Sequence, residues 1–146
     1  MAYVVWSEMF STGIPYIDNQ HQKLFSITND FHSALRDQGS DELIFRTLNS
    51  LIKYAEEHFQ DEEFIMSKSK KITPEQLADH KEQHIKLIED IFELISDLKQ
   101  NTGRKIRDVE LFLNSWLIIH ILMTDKKLQE YNNELSHFVV RKQDRK

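Results

Sequence analysis

The sequence predicts an all-α fold, an up-down-up-down antiparallel four-helix bundle with an extended N-terminal arm. Three observations predict it. Glycine and proline number only 3 and 2 in 146 residues while 29% of residues are charged, a balance that suits long helices and not a turn-rich β fold. Four stretches carry apolar residues at helical spacing. The segments between them are short and polar, so consecutive helices must run antiparallel and side by side.

The arm spans residues 1–17. Val4, Val5, Trp6, Met9 and Phe10 are apolar, Gly13 and Pro15 break regularity, and Trp6 is expected to anchor the arm on the bundle. Asp18 is expected to cap a first helix over about 19–37, with His21, Leu24, Phe25, Thr28, Phe31 and Leu35 facing inward. Gln38-Gly39-Ser40 stops it. The second helix runs from about Asp41 to Ser67 with the stripe Ile44, Leu48, Leu51, Ala55, His58, Glu62 and Ile65. Pro74, with Thr73 as cap, opens a third helix to about Gln100, whose stripe is Leu77, His80, His84, Leu87, Ile88, Ile91, Ile95 and Leu98. After the loop Asn101-Thr102-Gly103, a fourth helix over about Lys105 to Leu128 carries Ile106, Val109, Leu113, Trp116, Leu117, His120 and Asp125. The bundle domain is thus 18–128. In the C-terminal extension, 129–146, Tyr131, Leu135, Phe138 and Val139 are the residues expected to pack, and the last six, from Arg141 on, to be loose.

Composition narrows the function. The chain has no cysteine, which excludes disulfides, thiolate metal sites and cysteine nucleophiles and leaves His, Asp and Glu for a transition metal. A net charge of −5 argues against nucleic acid as a partner. The most apolar run, Leu111 to Met123, is too short for a membrane span, and no signal-peptide pattern opens the chain, so a cytoplasmic location is expected. The acidic, patchy surface suits a monomer; a protein partner would be a separate chain.

Five of the seven histidines lie on inward stripes: His21, His58, His80, His84 and His120. His58 and Glu62 stand at i and i+4, as do His80 and His84, so each pair points one way. Any one of these histidines alone reads as a core imidazole with a satisfied hydrogen bond. Their coincidence reads otherwise. His21 is early in helix one, His58 late in helix two, His80 early in helix three and His120 late in helix four, so up-down topology brings all four to the same end. A buried unpaired carboxylate at Glu62 costs several kcal/mol or more, roughly, and needs a compensating charge. Imidazoles with carboxylates suit two first-row divalent ions: Fe, Mn, Zn or Co. On a regular helix Asp125 diverges from His120 by about 140°. It either faces solvent near the helix end or joins the site through a local widening, such as a π-bulge.

At these residues the sequence resembles the hemerythrin family, specifically the single-domain bacteriohemerythrins. The resemblance covers about residues 6–125. It rests on Trp6, Gly13 and Ile17-Asp18-Asn19-Gln20-His21-Gln22-Lys23-Leu24, on the motif His58 through Met66, on His80 and His84, and on Trp116 through Asp125. It implies a non-heme diiron centre with an oxo or hydroxo bridge. His80, His84 and His120 would complete one iron, His21 and His58 would hold the other, and Glu62 and Asp125 would bridge them. Counting ligands on that assignment leaves one position open at the His21/His58 iron, where a small ligand fits. The implied function is reversible O2 binding, for carriage, storage or delivery, and not enzymatic turnover. The alternatives are an O2, redox or iron sensor module, or a diiron oxidase, peroxidase or nitric-oxide-handling enzyme. Phe59, Trp116, Leu117 and Ile121 are expected to wall the ligand pocket and keep it dry. Many members of that family place an aromatic three or four residues after the bridging Asp; here Lys126-Lys127-Leu128 intervene and the nearest aromatic is Tyr131.

Overall fold

The computed structural model describes residues 4–37, 39–99 and 106–144. Four long helical segments form the body, and the described residues include no strand: α1 (Pro15–Arg36), α2 (Asp41–Ser67), α3 (Pro74–Lys99) and α4 (Ile106–Ile119). α1 packs on α2 and α4, and α3 packs on α2 and α4, which closes the bundle. α4 runs on into a π turn (His120–Thr124), a 3-10 stretch (Asp125–Tyr131) and a single turn, α5 (Asn132–Leu135). No helix of the described residues is long and apolar enough to cross a membrane.

The start of α1 differs from the expectation. Asp18 is not the cap; the helix begins at Pro15, whose fixed φ suits the first helical position and needs no N–H partner there. Asp18 lies inside the first turn and reaches back to organise the loop. Its carboxylate accepts from Thr12 N–H at 2.8 Å, Thr12 Oγ1 at 2.7 Å and Ser11 Oγ at 2.6 Å. Gly13 between them has φ 75°, a left-handed conformation that costs a side chain strain. The arm is pinned as expected. Trp6 packs its ring 5.6 Å from those of Phe10 and Phe25, and Val4 exchanges two hydrogen bonds with the Asn29 amide.

Ser40 caps α2 by accepting from Leu43 N–H. Thr73 and Gln76 form a reciprocal capping box at α3: Thr73 Oγ1 accepts from Gln76 N–H, and Gln76 Oε1 accepts from Thr73 N–H. The inward stripes of α1 and α2 are buried, apart from a half-buried Leu35. The expectations for Gln38, the Leu98 side chain, the end of helix three at Gln100, the 101–103 loop, a helix start at Lys105 and the final residues 145–146 lie outside the described residues.

Two apolar clusters result, and the inward histidines lie between them. The larger gathers Leu24, Phe25, Phe31, Leu48, Leu51, Leu87, Ile91, Val109 and Leu113. The smaller gathers Ile14, Ile17, Ile65, Met66, Leu128, Leu135 and Val140. The C-terminal residues therefore cap the bundle. Val140 is the buried valine there, whereas Val139, the one expected to pack, is 59% exposed. The chain leaves α5 through a turn and then runs without regular structure over residues 138–141.

Candidate metal centre

Between the clusters, seven side chains from the four helical rods converge. His21, His58, Glu62, His80, His84, His120 and Asp125 are all buried, none more than 5% exposed. Their ligand atoms form two groups that could each hold a metal ion: Glu62, His80, His84, His120 and Asp125, and His21, His58, Glu62 and Asp125. The two carboxylates belong to both.

Each carboxylate turns one oxygen to each group. Glu62 Oε1 meets His80 Nε2 in a short contact and lies 3.4 Å from His84 Nε2. Glu62 Oε2 lies 3.3 Å from His58 Nε2 and 3.5 Å from His21 Nε2. Asp125 Oδ1 is 3.1 Å from His80 Nε2 and 3.0 Å from His120 Nε2, while Oδ2 is 3.0 Å from His21 Nε2.

Asp125 joins through the widened turn. Its backbone N–H donates to the carbonyls of His120 and Ile121, so an i+5 bond replaces regular α geometry at this point. The 140° divergence expected of a regular helix is thereby removed.

Charge follows from this crowding. Burial lowers the His80 imidazolium, but the Glu62 charge and the Asp125 carboxylate outweigh it and raise its pKa to about 10. Burial likewise lowers His21, and Asp125 and Glu62 raise it to about 9. His84 is raised over its burial penalty by Glu62 and Glu63. His58 goes down, because burial dominates. Burial raises Asp125 and Glu62, yet the surrounding imidazoles hold both well below the ordinary carboxylate range.

The imidazoles are also oriented from behind, by residues to which the sequence reading assigned no role. Asp61, a buried carboxylate, can only accept when ionised, so the Gln20 amide nitrogen donates to it at 2.7 Å. That orientation leaves Gln20 Oε1 to accept from His58 Nδ1 at 2.7 Å. His58 then carries its proton on Nδ1 and turns the Nε2 lone pair inward, the tautomer a metal needs. The Tyr16 hydroxyl adds a bond to Asp61 at 3.1 Å. Glu63 does the same for His84, holding Nδ1 at 2.7 Å. Gln20 stands beside His21 in the sequence, and Asp61 and Glu63 flank Glu62. Polar residues bordering a ligand stripe were the available signal.

Two of the residues expected to wall the pocket stack on imidazoles of the cluster. Phe59 stacks on His84 with centroids 3.9 Å apart, and Trp116 stacks on His120 at 4.3 Å. Leu117 and Ile121 are buried in the same apolar cluster as Phe59, against which Trp116 packs. His32, which lies off the inward stripe, pairs at 2.7 Å with a buried Glu110.

Residues 12–131 match the family model described as the hemerythrin HHE cation binding domain. The bacteriohemerythrin of Clostridium acetobutylicum is 30% identical over 127 residues, covering 84% of this chain and 96% of that one. The bacteriohemerythrin of Methylococcus capsulatus is also 30% identical over 127 residues, covering 86% and 94%. A crystal structure of a hemerythrin point mutant superposes with a TM-score of 0.76 at 29% identity, covering 93% of this chain and 99% of that one. With its four-helix bundle and its buried cluster of histidines and carboxylates, this chain belongs to the hemerythrin family.

Proposed function

We propose that the protein binds O2 reversibly at a non-heme diiron centre and acts as a carrier, not a catalyst. His80, His84 and His120 would hold one iron and His21 and His58 the other, with Glu62 and Asp125 giving one oxygen to each. The observation that carries this reading is a set of orphaned atoms. His21 Nε2, His58 Nε2, Glu62 Oε2 and both Asp125 oxygens are buried and form no well-aligned hydrogen bond, only the close imidazole–carboxylate approaches described above. Leaving such groups unsatisfied costs about 1–3 kcal/mol each, and more for charged ones. Their common direction, and the two-sided carboxylates, fit a pair of cations.

Bound ferrous ions would supply the electrons that O2 takes up on binding and returns on release. The protein's own part is positioning and exclusion. Gln20 and Glu63 hold His58 and His84 in the ligating tautomer. Phe59, Trp116, Leu117 and Ile121 keep water from the centre, which protects a reversible reaction from hydrolytic side paths. An apolar cavity of about 30 Å³ is bounded by Leu24, Ala55, Phe59 and Trp116 among others, the last two being the rings stacked on His84 and His120. It exceeds the roughly 10–15 Å³ that a water needs and offers an apolar diatomic a site without polar partners.

The test is optical. Iron-loaded protein should develop a visible charge-transfer band under air that bleaches under argon and returns on re-aeration. A spectrum indifferent to O2, or one that oxidises once and never recovers, would overturn the proposal.

A further inference from the structure

Resting on the diiron reading, we infer that the cavity over His80 is the port through which metal ions reach the centre. His80 and His120, at 5% and 4% exposed, are the least covered of the seven; the other five are at 2% or less. Each sits under its own opening. A third opening, about 250 Å³, borders His84, but there Glu63 holds the ring Nδ1 and Phe59 stacks on its face, so that imidazole turns only its occupied side outward.

The opening over His80 measures about 220 Å³, against the roughly 10–15 Å³ that one water requires. One side of it is polar, where Gln76, Asp79 and Gln83 on α3 face Thr124, Lys127 and Glu130, and Met66, Ile72 and Leu128 make up the apolar remainder. The two carboxylates, Asp79 and Glu130, offer oxygen ligands that replace hydration water as a cation sheds it. The opening over His120 is similar in size, about 240 Å³, but Phe112, Trp116 and Ile119 dominate it. Stripping water there has no such compensation, and a bare charge against hydrocarbon is costly. Gln83 and Thr124 border both openings and are joined by a hydrogen bond of 3.1 Å from Thr124 Oγ1 to Gln83 Oε1, which divides the two. Lys127 is the one cation in the polar wall and opposes Asp79 and Glu130 there. The far wall of the port is the 3-10 stretch beginning at Asp125, so an ion passing down it meets His80 and then the Asp125 carboxylate, 3.1 Å apart.

The experiment follows cobalt(II) chloride uptake by metal-free full-length protein in a stopped-flow spectrophotometer. Asp79, Lys127 and Glu130 are exposed, so replacing them leaves the core intact, which circular dichroism checks. Asp79→Asn with Glu130→Gln should slow loading several-fold and flatten its dependence on ionic strength. Lys127→Gln should speed it. Lys127→Trp should slow it about tenfold by filling the port, although it too removes a repelling charge. Ser115→Trp, which crowds the opening over His120, should load at the wild-type rate. Final cobalt stoichiometry should be the same throughout. Unchanged rates in all the port variants, or slowing in Ser115→Trp alone, would overturn the port while leaving the diiron reading intact. A wild-type chain that takes up no cobalt would overturn the diiron reading and the port with it.

Discussion

The backbone N–H of Asp125 donates to the carbonyl of His120, five residues earlier, and the two side chains meet with Nε2 and Oδ1 3.0 Å apart. One wide turn thus does what regular helix geometry forbids. It brings a carboxylate from the end of the fourth rod into a site already served by one imidazole of that rod. The 3-10 stretch that follows keeps the chain tight enough for Leu128 to return to the apolar interior.

The shared carboxylates set the first prediction. Glu62→Gln keeps the shape of the side chain and removes its charge, leaving the imidazoles on both sides with one anion in place of two. Iron content, measured by mass spectrometry on protein loaded and then desalted, should fall from two per chain to one or none. An unchanged content of two would contradict the bridging assignment.

Orientation of His58 sets the second. With Gln20→Leu, nothing accepts from Nδ1, and the Nε2 lone pair is no longer fixed inward. Such supporting partners are worth about 10–100-fold in metal affinity. Competition titration against a chromophoric chelator should show a loss of that size in one ion per chain. Asp61→Asn should give a smaller loss, because its amide can turn an oxygen toward Gln20.

Proton competition sets the third. His21 and His80, raised to about 9 and about 10, hold protons at neutral pH in the metal-free chain and must release them to ligate. Metal affinity should therefore rise with pH across neutrality. The stability of the metal-free chain follows the opposite course on the alkaline side. Imidazoles raised above their ordinary 6.5 stabilise fully below that value, and the gain is lost as pH climbs through 9 to 10. Below 6.5, His58, whose pKa is lowered by burial, begins to cost stability; below about 4.5 the depressed Glu62 and Asp125 add their own loss. Thermal unfolding of chelator-treated protein should show a maximum at about pH 6 to 7. Bound metal should flatten the alkaline decline.

The loop before α1 sets the fourth. A Cβ at Gly13 would lie 2.6 Å from the Asn132 amide nitrogen, and φ is 75°. Gly13→Ala should cost about 1–2 kcal/mol from backbone strain alone, with the clash added. Combining it with Asn132→Ala should remove the 2.6 Å contact, leaving a 3.1 Å approach to the Cβ of residue 132, and should not relieve the strain, which denaturant midpoints will separate.

Much of this was legible in the sequence. Period 3.6 located the apolar stripes, and the positions His21, His58, Glu62, His80, His84 and His120 follow from it, because side chains on one stripe share one direction. Asp125 did not follow, since its place depends on a turn type that no residue in His120–Thr124 announces. Asp18 misled because an acid just ahead of an apolar run resembles a cap; Pro15 had already fixed the start. Gln20 and Asp61 escaped because they lie beside the stripe, where a polar residue ordinarily meets water. Val139 and Val140 were indistinguishable because the tail there has no regular structure whose period could tell inward from outward.

The polar layer between the two apolar clusters also acts as a gauge of register. Leucine and isoleucine stripes are forgiving: sliding one rod past its neighbours by a turn sets one aliphatic chain where another had been. The same slip moves an imidazole or a carboxylate by about 5.4 Å along the axis, out of reach of its mates and against hydrocarbon. Seven such side chains on four rods leave one alignment in which all are answered, so the centre tells the helices how far along each other they belong.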